Sequence, residues 1–388
     1  MPLKHSFASR LADIEPFRVV EVLARAKELE AAGRDIIHLE AGEPDFSTID
    51  PIVKAGQASL GRGETYYTQA AGIPQLREAI SAYYLSDYGL DVSPERIMIT
   101  PGASGALLLV AALLINPGDG MLMTDPGYPC NRQFLRLVEG EGQLVPVDIE
   151  DHFQLTATKA AKHWQDNTIG AMVASPANPT GAVMEAQALR ELYDFISAKS
   201  GYLVVDEIYH GLEFEKKATS ILELTDDAFV INSFSKYFGM TGWRLGWLVA
   251  PETAVPELEK LAQNLFISMS TMAQHAALAG FSLESRELLD QRRDIFSQRC
   301  SFLVPALKEI GFEVPYYPDG AFYIYAGVER FTDNSQKFCL SMLEKHGIAL
   351  TPGVDFGYHQ AQQHLRFSYT TGIDRIEEAV NRLHKVLG

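Results

Sequence analysis

Residues 232–246 read NSFSKYFGMTGWRLG and begin at the end of an apolar run that predicts a buried β-strand. Lys236 therefore lies just past a strand end, and in an α/β sheet the carboxyl ends of strands face the crevice that binds ligands. Taken alone, Lys236 is more simply a solvated surface lysine. Its neighbours Ser233, Ser235 and Arg244 favour a ligand site, because hydroxyls and a guanidinium near one point hold an anion such as a phosphate.

Outward from this stretch, short apolar runs alternate with helical segments through the middle of the chain. Because each run is continuously apolar rather than alternating, the pattern predicts an α/β fold with a mostly parallel sheet sandwiched by helices. The predicted strands are residues 97–100, 121–124, 171–175, 203–206, 229–233 and 245–250, and the predicted helices between them include 104–115, 128–139 and 185–198.

The last third of the chain changes to an α+β pattern. Residues 271–310 contain one proline, Pro305, near their end and predict one long helix that joins two domains. Short predicted strands follow at 322–325, 349–351 and 365–369. We expect a large domain over 48–285, and a smaller α+β domain in which the N-terminal segment 1–47 packs with 286–388.

The charge balance argues against a nucleic-acid or anionic-membrane partner, because the net charge is −17. An anionic ligand would then need a local basic pocket. Three widely spaced cysteines without a CxxC pair predict neither a disulfide framework nor a metal site. The N-terminus has no apolar signal region, and the longest apolar run, 106–115, is too short to span a bilayer, so we expect a cytoplasmic protein.

Three further motifs follow predicted strands, and each is a weak signal when taken alone. PGASGAL at 101–107 opens a helix, whose backbone N–H groups and dipole favour a phosphate, although a tight turn with an N-cap at Ser104 explains it as well. LVVDEIY at 203–209 contains the acidic pair Asp206 and Glu207, which a loop start or a helix cap explains about as well as a functional role does. SPANPTG at 175–181 contains Asn-Pro, a common turn former.

Taken together and in order, these segments resemble the fold-type-I pyridoxal-phosphate enzymes, aminotransferase class I/II. The similarity runs from AGEPDF at 41–46 through YTQAAGIPQLREAI at 67–80 to LRFSYT at 365–370, and SFSK followed by R-x-G is its most specific part. The resemblance implies an amino-acid aminotransferase that moves an amino group to a 2-oxo acid, with pyridoxal 5′-phosphate as cofactor.

The resemblance also implies roles around the cofactor ring. Lys236 matches the lysine that holds the cofactor as a Schiff base and then moves the substrate proton. Asp206 matches the aspartate that pairs with the pyridine nitrogen. Asn178 and Tyr209 match the residues that hydrogen-bond the phenolic oxygen, and Tyr128 matches the aromatic residue that stacks on the ring, although it could also be a core aromatic.

The cofactor phosphate would be held, by the same resemblance, at the start of the PGASGAL helix. The matching groups are the backbone at Ala103, Ser104 and Gly105, together with Ser233 and Arg244.

Tyr67 matches a tyrosine that reaches the phosphate from the other subunit, which implies a homodimer with shared active sites. The adjacent Tyr66 could exchange roles with it. Arg366 matches the arginine that forks onto the substrate α-carboxylate, and Gly42 and Asn178 match residues near that carboxylate.

One departure from relatives that prefer dicarboxylates bears on the substrate. Such relatives supply a cation for the second carboxylate, but QNLFISMSTMAQ at 263–274 and PGASGAL contain none. Apolar residues 265–267 would instead suit a neutral amino acid. If 2-oxoglutarate is the acceptor, a cation such as Arg18 or Arg25 would have to serve its second carboxylate.

Two other functions compete with transamination. A carbon–sulfur β-lyase of the same fold uses the same lysine, aspartate and arginine, so sequence separates the two poorly. A non-catalytic cofactor-binding regulator is the alternative from another class. The acidic charge and the short segment before AGEPDF, with no room for a DNA-binding domain, argue against it.

Overall fold

The structure is a computed structural model that describes residues 7–388. Over these residues the α-helices are α1 Arg18–Ala31, α2 Asp50–Gly61, α3 Pro74–Tyr88, α4 Gly102–Leu114, α5 Cys130–Leu137, α6 Ala157–His163, α7 Ala186–Ala198, α8 Val255–Leu265, α9 Thr271–Leu278, α10 Leu283–Ile310, α11 Ser335–His346 and α12 Ile373–Leu387. The β-strands are β1 Ile37–His38, β2 Ile97–Thr100, β3 Gly120–Asp125, β4 Glu141–Pro146, β5 Thr168–Ala174, β6 Tyr202–Asp206, β7 Phe229–Ser233, β8 Gly246–Val249, β9 Tyr323–Gly327, β10 Ile348–Ala349, β11 Thr351–Pro352 and β12 His364–Ser368.

Seven strands form the central sheet in the order β2-β8-β7-β6-β5-β3-β4. Strands β3 to β7 run parallel, and β8 pairs antiparallel with both β2 and β7. All six strands predicted for this region are present, and the predicted α/β class is confirmed. Strand β4 was missed because its sequence, EGQLVP, is half polar and alternates in burial at the sheet edge.

Helix α4 packs against the sheet and places one end at the site. Its sequence, GASGALLLVAALL, is apolar nearly all round because the helix lies between the sheet and α8. Its N-terminus lies at the end of β2, where Gly102 adopts a φ of 71°. Only a residue without a side chain takes this left-handed conformation freely, so the turn brings the helix N-terminus close to the sheet edge.

The predicted helix over 271–310 is wrong as a single element. Helix α9 ends at Leu278, a 3-10 turn covers Ala279–Phe281, and α10 begins at Leu283. The Ser282 hydroxyl accepts the backbone N–H of Ser285 at 3.2 Å, which caps a new helix rather than continuing the old one. The apolar periodicity continues across the break and hid it from the sequence analysis.

The C-terminal part contains two small sheets. Strands β11, β12 and β9 pair antiparallel, and β1 pairs parallel with β10. The N-terminal segment therefore packs with the C-terminal part, as expected, whereas the domain boundaries at 48 and 286 stay a prediction. Among the helices of residues 7–388, none is both long and apolar enough to cross a membrane.

Candidate active site

A cavity of about 290 Å³ lies at the carboxyl ends of the parallel strands. Residues that follow β5, β6 and β7 form its floor, the start of α4 forms one end, and the first turns of α1 form a wall. Ten of the residues predicted for the site line this one cavity: Gly42, Ala103, Ser104, Tyr128, Asn178, Asp206, Tyr209, Lys236, Arg244 and Arg366. Parallel strands explain the convergence, because their carboxyl ends meet at one edge of the sheet.

Lys236 reaches the cavity from the turn after β7. Its Nζ donates a hydrogen bond to the Gly42 carbonyl oxygen at 2.6 Å. Burial lowers the pKa of Lys236 to about 8, and the positive charge of Arg366 acts in the same direction. A much larger fraction of this amine than of an ordinary lysine is therefore neutral near physiological pH, and the neutral form is the one that attacks a carbonyl carbon.

Asp206 is the last residue of β6 and is 5% exposed. Its carboxylate accepts the backbone N–H of Ile208 at 3.1 Å. Burial raises the pKa of Asp206 to about 7, while that N–H and the charge of Lys236 oppose the rise. A cationic partner in the cavity would relieve this cost of burying the carboxylate.

The end of the cavity nearest α4 is suited to an anion. Ser104 in the first helical turn, Ser235 and Arg244 all line the cavity. A side chain on Gly102 would place its Cβ 2.7 Å from Arg244 Nη2, so the glycine lets the guanidinium lie against the helix N-terminus. The N–H groups of a helix N-terminus, a hydroxyl and a guanidinium are groups that bind a phosphate in proteins.

Two residues predicted to hold the phosphate lie behind this end rather than on it. The Ser233 hydroxyl lies 2.9 Å from Ser235 Oγ and 3.1 Å from the Leu245 carbonyl oxygen. A Cβ on Gly105 would lie 2.4 Å from the Pro101 ring, inside the turn. Ser235, which the sequence analysis named only as part of an anion site, is the hydroxyl on the cavity wall.

Arg366 also lines the cavity and is 2% exposed. Its Nη1 donates to Asn178 Oδ1 at 2.9 Å and its Nη2 donates to the Glu40 carbonyl oxygen at 2.6 Å. The guanidinium carbon lies 4.3 Å from the Tyr323 ring centroid and 4.9 Å from that of Phe356. Two aromatic rings thus hold the planar fork in one orientation, which suits bidentate binding of a carboxylate.

Tyr323 is a site residue that the sequence analysis missed. Its hydroxyl lies 2.9 Å from the Tyr209 hydroxyl, so it orients the residue predicted to contact the cofactor. A Cβ on Gly42 would come within 2.6 Å of the Tyr323 hydroxyl, so only glycine fits there without a shift. In sequence, Tyr323 stands in a continuously apolar strand and looks like any core aromatic.

The apolar wall of the cavity comes from the start of α1. Phe17, Val19, Val20 and Leu23 line it, and the Phe17 ring meets the Tyr128 ring edge-on at 6.2 Å. The sequence analysis placed the apolar wall at residues 265–267, a segment assigned to the partner subunit. In its own chain that segment does not line the cavity, whereas the start of α1 does. A contribution of residues 265–267 from the partner subunit stays a prediction.

Tyr67 lies outside the cavity of its own chain and is 80% exposed, as is the adjacent Tyr66 at 82%. Leu265 and Ile267 are also exposed, at 48% and 54%. The Thr271 hydroxyl donates to the Tyr66 carbonyl oxygen at 2.6 Å, so both segments expected to face a partner lie on one side of the molecule.

Comparison with known proteins agrees with this architecture. The family described as aminotransferase class I and II matches residues 34–383. The valine–pyruvate aminotransferase of Mycobacterium tuberculosis is 36% identical over 96% of each chain. The (5-formylfuran-3-yl)methyl phosphate transaminase of Methanocaldococcus jannaschii is also 36% identical, over 98% of this chain and 99% of the relative. A crystal structure of an aminotransferase from Mycobacterium tuberculosis superposes with a TM-score of 0.95 at 36% identity over 99% of both chains.

Proposed function

Since the chain belongs to the class I and II aminotransferases, we propose that it moves the amino group of a neutral amino acid to a 2-oxo acid with pyridoxal 5′-phosphate as cofactor. The observation that supports this most is the joint placement of Lys236, Asp206 and Arg366 in one cavity. An amine, a buried carboxylate and a carboxylate-binding fork are the groups that this reaction requires.

The residues present fit this cofactor. Arg244, Ser235 and the first turn of α4 would hold its phosphate, because they form the anion end of the cavity. Asp206 would face the pyridine nitrogen, and that cation is the partner that its buried carboxylate lacks. Tyr128 would cover the ring, and the neutral amine of Lys236 would form the covalent link.

When bound, pyridoxal phosphate supplies an electron sink for the bond broken at the substrate Cα. Residues of the protein would supply the hydrogen bonds and the proton transfer. Asp206 would hold the pyridine nitrogen protonated, and Tyr209, itself positioned by Tyr323, would donate a hydrogen bond to the phenolic oxygen. Once its amine is free, Lys236 would take the proton from the substrate Cα and deliver it to the cofactor carbon.

The substrate α-carboxylate would bind Arg366. The buried Nε of this arginine has no hydrogen-bond partner within residues 7–388, and Nη1 contacts only Asn178. A bound carboxylate would satisfy these donors and offset the cost of burying the guanidinium. Asn178 and Gly42 flank this position and would set the direction of the Cα–H bond.

A neutral side chain on the donor fits the rest of the cavity. Within the described part of the chain, the cations that line the cavity are Lys236, Arg244 and Arg366. The first two would bind the cofactor and the third would bind the substrate α-carboxylate. Arg25 is held by Glu344 at 2.6 Å, away from the cavity. A second carboxylate would therefore meet the apolar start of α1 and lose water without gaining a partner. The valine–pyruvate relative, named for a neutral donor and acceptor, agrees with this assignment.

We also propose a homodimer whose active sites are shared. Exposed aromatic and aliphatic residues on one surface, Tyr66, Tyr67 and Ile267 among them, are unusual for a monomer and suit burial against a second copy. In that arrangement Tyr67 of each subunit would reach the phosphate of the other.

The lack of a disulfide pattern among the cysteines supports the cytoplasm as the location.

The proposed function is tested with a panel of amino donors at one fixed acceptor, pyruvate. We expect valine, leucine or methionine to give a higher kcat/KM than aspartate, because their side chains bury apolar area against α1. Lys236→Ala is the control and should show no turnover. Aspartate as the best donor would contradict the neutral pocket, and release of ammonia and pyruvate from cystathionine without an acceptor would contradict transamination.

A further inference from the structure

The start of α1 lacks a cap of its own. Phe17 occupies the N-cap position and has no side-chain oxygen to accept the free N–H groups of the first turn. The turn that follows nevertheless carries Val19 and Val20, two of the residues on the cavity wall. A helix end without a cap frays, so something else must hold this wall in place.

The missing acceptor comes from the far end of the chain. Asp355 accepts the backbone N–H of Arg18 at 2.9 Å with Oδ1 and that of Val19 at 3.3 Å with Oδ2. It is 3% exposed and lies in the 3-10 turn Gly353–Asp355, directly after β11. A carboxylate placed at a helix N-terminus also gains from the helix dipole.

The same strand leads from Asp355 to the carboxylate-binding fork. Thr351 of β11 pairs with Arg366 of β12, and its hydroxyl lies 3.4 Å from Arg366 Nη2. Asp355 is thus rigidly connected to the part of the cavity that would bind the substrate carboxylate. The carboxylate of Asp355 holds the first turn of α1, which would contact the substrate side chain.

The remainder of α1 is held independently of Asp355. Ala26 and Leu29 are buried in a cluster with Ile36 and Leu343, and Arg25 pairs with Glu344. Loss of the Asp355 contacts would therefore release the first turn without detaching the helix. Burial raises the pKa of Asp355 and the two N–H groups oppose the rise, so the carboxylate depends on these same contacts.

We propose that Asp355 is a positioning residue that sets the preference for large apolar donors by holding the first turn of α1 against the cavity. This inference rests on the proposed function. A bulky donor side chain needs Phe17, Val20 and Leu23 in place, whereas the methyl group of alanine is too short to depend on them.

The test compares leucine and alanine as donors, with glyoxylate as the fixed acceptor, in Asp355→Ala, Asp355→Asn and wild type. Asp355→Ala should lower the leucine-to-alanine ratio of kcat/KM about fivefold, through KM for leucine rather than kcat. Asp355→Asn keeps one acceptor oxygen, so its leucine-to-alanine ratio should lie between those of wild type and Asp355→Ala. The matched control is Glu344→Gln, which removes an exposed ion pair on the same helix and should leave the ratio unchanged.

A second measurement does not depend on activity. Hydrogen exchange followed by mass spectrometry should show faster exchange over residues 17–24 in Asp355→Ala, with residues 25–31 unchanged. Unchanged exchange, or faster exchange with an unchanged leucine-to-alanine ratio, would overturn the proposal. If wild type transaminates neither donor, the proposed function is wrong, and the exchange result still decides whether Asp355 holds the first turn.

Discussion

Lys236 is a lysine in an environment that favours its neutral form. Burial lowers its pKa to about 8, well below the ordinary range of lysine. We therefore expect the rate at which pyridoxal phosphate attaches to cofactor-free protein to rise with pH up to about 8 and then level off. Visible absorbance follows the reaction, and borohydride reduction with peptide mapping locates the product. Lys236→Ala is the control. A pyridoxyl group on another lysine, or a rate still rising steeply above pH 9, would contradict the assignment.

Asp206 is a carboxyl group whose burial opposes stability in the cofactor-free protein. Its pKa is raised to about 7, so the folded state favours the protonated form and is stabilised at low pH. This contribution is lost as pH rises through 7. Asp206→Asn cannot ionise, so the cofactor-free variant should be more stable than wild type at pH 8. The two should converge as pH falls towards about 4, as urea unfolding would show.

The same substitution should be costly for activity. Without the carboxylate, the pyridine nitrogen is not held protonated, so kcat and kcat/KM should fall together by at least about 100-fold. A variant that is more stable and nearly inactive would show that the buried charge is kept for chemistry. Wild-type turnover in Asp206→Asn would mean that another group performs this role.

Among the helices, the first turn of α1 and the break before α10 both depend on how a helix N-terminus is capped. Ser282 caps α10 from within the local sequence and is a recognisable N-cap residue. Phe17 is not such a residue, and the acceptor for α1 is Asp355. A local cap could have been found from the residue types between 278 and 283, whereas a cap from 337 residues away could not.

Helix α10 also connects the fold to the site through one ion pair. Arg299 is 5% exposed and forks onto Asp45, with both Nη atoms at 2.8 Å from the carboxylate oxygens. Asp45 follows Gly42 in the loop that accepts the hydrogen bond from Lys236. The long helix therefore holds this loop at the cavity edge, and a bidentate geometry keeps the loop in one orientation.

At the scale of the whole molecule, the exposed surface around Tyr67 predicts shared active sites. Lys236→Ala subunits lack the attachment amine, and Tyr67→Phe subunits lose one hydrogen bond to a charged phosphate, which should weaken cofactor binding about 10- to 100-fold. A dimer that contains one subunit of each kind has one site with both groups. Mixing the two variants under conditions of subunit exchange should therefore restore tight cofactor binding and activity in part.

The control for this experiment is each variant kept separate, where no recovery should occur. Sedimentation gives the assembly state at the assay concentration. A chain that is monomeric and fully active would rule out shared sites, and so would a mixture that never exceeds the sum of its parts.

Sequence alone was enough to predict the α/β class, six of the seven central strands and ten of the residues that line the cavity. It could do so because each signal is local. A continuously apolar run marks a buried strand, and the residue after a parallel strand faces the ligand edge whatever the rest of the chain does. Lys236, Asp206 and Asn178 lie in or after such strand ends and were assigned from the resemblance of these motifs to the family, and all three line the cavity.

The identity of the apolar wall residues and the contacts that hold them depend on long-range packing, which the sequence did not reveal. Phe17 and Val20 come to the cavity because β1 pairs with β10 and Asp355 caps α1, contacts that join the two ends of the chain. The hydrogen bond between the hydroxyls of Tyr323 and Tyr209 likewise joins residues that are far apart in sequence. Contacts between residues hundreds of positions apart leave no periodicity or spacing in the sequence, because they arise from the packing of elements and not from the elements themselves.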